Sequence, residues 1–110
     1  MTYSNTTEKF DIAVNVMASD TGTLRTRIWK AYLIFHTLTE KDFSDELKPD
    51  WNYILSTLTK EDAIYDDEGE VAVESVPNTL QTTNIDDCIR IAERICNLDA
   101  KLHERECMPA

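Results

Sequence analysis

Leu24-Arg25-Thr26-Arg27-Ile28-Trp29-Lys30-Ala31-Tyr32-Leu33-Ile34-Phe35-His36-Thr37-Leu38 is the stretch whose reading decides the fold. Leu24, Ile28, Ala31, Phe35 and Leu38 recur at alternating steps of four and three. That spacing keeps a stripe of side chains on one side of a helix of about 3.6 residues per turn. Leu33 and Ile34 widen the stripe, and Trp29 and Tyr32 flank it. A helix this apolar is expected at the centre of several others. Thr21 or Thr23 opens it, because a hydroxyl accepts from a backbone N–H that the first turn leaves unpaired.

Working outward, Phe10, Ala13, Val14 and Met17 share one face of an earlier helix. Thr7 is expected to cap it, with Glu8 and Asp11 near its positive end. The segment Ala18-Ser19-Asp20-Thr21-Gly22 ends it. Downstream, Thr39 to Phe43 reads as a short connection or a single turn of helix, and Ser44-Asp45-Glu46-Leu47 as a helix start. Pro49 lacks an N–H, so regular helix begins nearer Lys48, with Leu47, Trp51, Ile54, Leu55 and Leu58 as its stripe. From Lys60 to Gln81 the helical pattern weakens. Val71 and Val73 alternate with polar residues, as an edge strand would, and Val76 extends the alternation. Pro77-Asn78 is read as its end, and no second strand is evident to pair with it. Asn84 caps a last helix with the stripe Ile85, Cys88, Ile89, Ala92, Ile95, Cys96 and Leu102, broadened by Ile91 and Leu98.

The 110 residues suit one domain, and two glycines with three prolines supply too few turns for an all-β chain. The expected fold is therefore mainly α: a compact bundle of about four helices, with an acidic loop or short edge strand between helices 3 and 4. Residues 7–106 form the domain, between flexible ends at 1–6 and 107–110. No signal-peptide layout opens the chain, and the longest apolar run, Ala31 to Phe35, is too short to span a membrane. Cys88 and Cys96 would lie about 12 Å apart along a helix, too far for a disulfide. A reducing cytoplasm is the expected compartment. Cys107-Met108-Pro109-Ala110 nominally matches a prenylation box, but its proline and the lack of an upstream basic run argue against one.

The net charge is −10, and it is unevenly placed. Residues 40–74 hold twelve acids against three bases, a local net of −9. A field of that sign opposes direct nucleic-acid binding and favours a basic protein partner. The expected binding face comprises Asp50, Asp62, Asp66, Asp67, Glu68 and Glu70, with Trp51 and Tyr53 as aromatic anchors. At the opposite pole, Thr23, Arg25 and Arg27 at a helix start form a weaker candidate for holding an anion.

Searches for chemistry return little. Two glycines cannot furnish a phosphate loop, a nucleophile elbow or a dinucleotide fingerprint. Cys96, Asp99, His103 and Cys107 recur at three and four residues, but one straight helix rarely gives a metal four tetrahedral ligands. The expectation there is a buried Cys96, exposed Asp99 and His103, and no metal or cofactor. His36 is the one histidine inside the domain that suits a general base, yet no motif places a nucleophile beside it, so it is expected at the rim. Aligning the acidic loop as a calcium loop on Gly69 puts Ile64 and Ser75 where carboxylates are required.

Arg25-Thr26-Arg27-Ile28, Ala31-Tyr32, Asp42-Phe43-Ser44-Asp45-Glu46-Leu47, Leu58-Thr59 and Ala92-Glu93-Arg94-Ile95 together resemble a loose set of small bacterial helical proteins. The resemblance implies a bacterial cytoplasmic origin and no activity. The leading expectation is a non-catalytic interaction protein, comparable in size and charge to immunity proteins, antitoxins or inhibitors. The alternatives are a small helical enzyme or anion binder using His36 with Arg25 and Arg27, and a structural homodimer joined through its second and last helices.

Overall fold

The computed structural model describes residues 4–107, and side chains through residue 105. Five α-helices, one 3-10 turn and one small hairpin follow in order: α1 (Asn5–Ser19), α2 (Leu24–Phe35), the 3-10 turn (Glu40–Asp42), α3 (Lys48–Leu58), β1 (Ile64–Tyr65), β2 (Val71–Val73), α4 (Ser75–Thr82) and α5 (Ile85–Cys107). The architecture is mainly α, as expected. The cap of α1 is Ser4 rather than the expected Thr7: Ser4 accepts from the Thr7 N–H at 3.3 Å, and Thr6 is already buried. Residues 1–3, 108–110 and the prenylation-like side chains at the C-terminus lie outside the described residues.

α1 packs on α2 and α5, while α3 closes the bundle against α5. Ile28, Ala31 and Phe35 are buried along α2 and Leu38 just beyond its end, with Leu24 partly covered, so the deciding stripe faces the core. Its aromatic centre joins four parts of the chain. Phe10 stacks on Phe35 at 4.8 Å between centroids, and Trp51 stacks on Phe43 at 4.9 Å. Edge contacts from Trp51 to Phe10 and Phe35 link the two pairs.

α5 carries overlapping apolar stripes, and the bundle buries part of the expected one together with Ile91 and Leu98, which were expected only to broaden it. Cys88, Ile91, Ile95, Leu98 and Leu102 are buried, whereas Ile85, Ile89 and Cys96 are exposed. The buried set alternates three and four residues without a break, the closest match to a straight seam between helices.

The stretch after α3 corrects the sequence reading twice. Val71–Val73 has a partner: it pairs antiparallel with Ile64–Tyr65, with an irregularity in the register between Ile64 and Tyr65. Pro77 starts rather than stops structure, because it is the third residue of α4, where a missing N–H breaks no intrahelical bond. Val76 and Leu80 are buried one turn apart on that helix.

Candidate functional site

Two hydrogen-bonding devices build the acidic hairpin. At its tip, the Asp66 carboxylate accepts from the backbone N–H groups of Glu68 and Glu70, both at 2.9 Å. The Asp66 N–H donates to the Glu70 carbonyl, and Gly69 takes φ +80°, which closes the tight turn. At its base, α4 follows β2 directly and holds the foot that precedes β1. Ser75 Oγ donates to the Glu61 carbonyl at 2.6 Å, Thr79 Oγ1 accepts from the Glu61 N–H at 2.9 Å, and Asn78 Nδ2 donates to the Asp62 carbonyl at 2.8 Å. Thr79 is buried, so its hydroxyl is fixed where the Glu61 amide needs it.

The structure divides the expected acidic face into two groups. Among the earlier acids, Asp50 sits between Lys101 (2.8 Å) and Arg94 (3.9 Å) of α5, and Asp45 pairs with Lys48. Glu46 pairs with Arg105, and Asp42 accepts from the Thr39 N–H. Asp50 and Glu46 fasten α3 and its approach to α5, while the Asp45 and Asp42 contacts stay local to that approach. The later acids do something else. Asp62, Asp66, Asp67, Glu68 and Glu70 are all exposed, and among the described residues no ion pair engages any of them. From Glu61 through Ile89 the sequence contains no Lys, Arg or His to neutralise them. Beside them Ile64, Val71 and Tyr65 (62% exposed) leave apolar surface open to solvent.

Trp51 is not part of a binding face. It is 1% exposed inside the aromatic centre, where no partner reaches it. Its place on the α3 stripe explains this, since the same spacing that marks a core residue put it in sequence beside Asp50 and Tyr53. Tyr53 is exposed at the edge, but its ring lies 4.5 Å under the Arg94 guanidinium, an intramolecular cation–π contact.

The anion candidate also dissolves into structure. Thr23 caps α2, accepting from the Thr26 N–H at 3.2 Å. Arg25 donates through Nε to the Leu80 carbonyl at 2.9 Å and through an Nη to the Thr83 carbonyl at 2.7 Å. Arg27 donates to the Met17 carbonyl at 2.8 Å. Both guanidinium groups therefore serve the carbonyl ends of other helices, α4 and α1, where positive charge also meets the negative end of the dipole. Lys30 is held by Asp20 at 2.6 Å, and that hydrogen bond depresses the Asp20 carboxyl below the usual range. His36 is exposed at the end of α2, its ring 5.8 Å from Tyr32, in keeping with a rim position.

On α5 the expected burial is reversed. Cys96 is exposed, and Asp99 is the more covered of the two, with a side chain 13% exposed. Partial desolvation at the helix surface, with the Asp99 and Glu93 charges nearby, raises the Cys96 thiol, and burial raises the Asp99 carboxyl. His103 sits one turn beyond Asp99 and also meets Asp11 of α1.

No family model, no curated protein and no solved structure matches the chain. Nothing from outside the molecule adds to the geometry, and no helix among the described residues is long and apolar enough to cross a membrane.

Proposed function

We propose that this protein is a non-catalytic binding protein whose acidic hairpin receives a basic protein partner. The observation carrying this reading is the contrast within one acidic run. Asp42, Asp45, Glu46 and Asp50 each have an internal partner in the Thr39 amide, Lys48, Arg105 or the Lys101–Arg94 pair, whereas Asp62, Asp66, Asp67, Glu68 and Glu70 face solvent with no ion pair among the described residues. A free patch of one sign raises the encounter rate with an opposite one, and the adjoining Ile64, Tyr65 and Val71 supply apolar contact once the partner arrives. The partner face is thus centred on Tyr65, Asp67, Glu68 and Glu70, with Asp66 committed to the turn.

The test is capture of partners at low and high salt by the wild type and by the variant Asp67→Asn/Glu68→Gln/Glu70→Gln. The expected result is a set of basic proteins released by salt and lost by the variant, with the melting temperature unchanged. Capture that ignores both salt and the substitutions contradicts the proposal. A second reading, a homodimer, rests on the exposed Leu33 of α2 and Ile85 and Ile89 of α5. Sedimentation at several concentrations separates it, since a dimer built there loses association in Ile85→Ser/Ile89→Ser and keeps it in the hairpin variant.

A further inference from the structure

Asp11 on α1 and Asp99 and His103 on α5 converge across the seam between the two helices. One donor atom from each lies within 4.8 Å of the other two. His103 Nε2 is 3.1 Å from an Asp11 oxygen and 3.6 Å from Asp99 Oδ1. Asp99 Oδ1 is shielded from solvent and has no hydrogen-bond partner among the described residues; the His103 ring at 3.6 Å meets it with a positive charge only when protonated. An unsatisfied carboxylate oxygen in such a place costs free energy unless something positive meets it.

Two ligand atoms each about 2.1 Å from a zinc ion at the tetrahedral angle are about 3.4 Å apart. The two distances from His103 Nε2 fall on either side of that edge. Charge agrees as well, because two carboxylates and a neutral imidazole exactly balance a divalent cation. An imidazole among the donors favours borderline ions such as zinc over magnesium or calcium, which prefer oxygen alone. Asp11 and His103 are 49% and 28% exposed at their side chains, so water can reach the fourth position. We propose that Asp11, Asp99 and His103 form a site for a zinc-class divalent cation that clips α1 to α5. Residues three and four apart on one helix supply only part of such a site; the third ligand comes from the other end of the chain.

The test uses the full chain, stripped with a chelator and titrated with zinc chloride, read by calorimetry and thermal melting. The expected result is one equivalent bound, a higher melting temperature, and an affinity weakened by about tenfold or more in Asp11→Asn and in His103→Ala. Asp11 is half exposed, so its variant keeps the fold even if His103→Ala does not. Cys96→Ser, one turn before Asp99, should bind as the wild type does. No binding at millimolar zinc overturns the proposal. So does an affinity that Asp11→Asn leaves unchanged, one that Cys96→Ser abolishes, or magnesium binding as tightly as zinc.

Discussion

Replacing Arg25 separates its two readings most sharply, because an anion site and an internal clamp respond oppositely. In the structure its Nε and an Nη hold the Leu80 and Thr83 carbonyls at 2.9 and 2.7 Å. Hydrogen bonds involving a charged group contribute about 1.5–3 kcal/mol each. Arg25 is half-buried, so solvent screening places the pair near the low end, about 2–3 kcal/mol together. Arg25→Ala should therefore lower stability by about that much and move the urea midpoint down by about 1–2 M, read by far-ultraviolet circular dichroism. Arg25→Lys keeps the charge near the C-terminus of α4, worth about 0.3–1 kcal/mol, but a single ammonium cannot span two carbonyls in the guanidinium's fixed fork. It should recover less than half of the loss. A lysine variant as stable as the wild type refutes the clamp, as does an alanine variant within about 0.5 kcal/mol of it. Stabilisation of the wild type by phosphate, lost in Arg25→Ala, would restore the anion reading.

Thr79→Val preserves shape but strands the Glu61 N–H, at a cost of about 1–3 kcal/mol, and amide hydrogen exchange should quicken in β1 and β2 ahead of the bundle. Trp51→Ala should cost about 3–5 kcal/mol in a denaturant titration, whereas Tyr53→Ala should cost under about 1 kcal/mol; similar values for the two would remove Trp51 from the core. In a Cys107→Ser background, iodoacetamide should label native Cys96 slowly at neutral pH and faster as pH rises, since partial desolvation and the neighbouring Asp99 and Glu93 raise that thiol; Cys88 should label only on unfolding, as mass spectrometry can follow. Lys30 depresses the Asp20 carboxyl, so its stabilisation is present above the unfolded-state value and is lost as pH falls through the folded one. Acid titrations of Asp20→Asn should accordingly show a shallower loss of stability in that window.

How much of this was legible in the sequence depended on the range of the cause. α2 and α3 announce themselves through local spacing, and burial of Ile28, Ala31, Phe35, Ile54 and Leu58 follows directly. α5 was legible as a helix, but with apolar residues at 85, 88, 89, 91, 92, 95, 96 and 98 its pattern admits more than one buried face; only the neighbouring helices choose. α4 was hidden because Pro77 breaks a helix or begins one according to where the first turn lies, and composition does not fix that. Trp51 was misread because an aromatic beside acids looks the same in sequence whether it turns inward or outward. Arg25 and Arg27 could not have been placed, since their acceptors are backbone carbonyls, which carry no residue signature. The same holds for Asp11, whose partners Asp99 and His103 lie 88 and 92 residues away.

These long-range contacts form a single mechanical path. Arg25 ties α2 to the end of α4, and Ser75, Asn78 and Thr79 on α4 tie down Glu61 and Asp62 at the root of the hairpin. Val76 and Leu80 press the same short helix into the core. The acidic turn is consequently carried on a fixed mount, with its own conformation set by Asp66 and Gly69. For a binding element this matters, because a loop already ordered loses less entropy when a partner closes on it. Loosening the mount by Thr79→Val should then weaken capture of a basic partner although no charge has changed. A hairpin that binds equally well after its mount is loosened would mean that its carboxylates act only as a diffuse field.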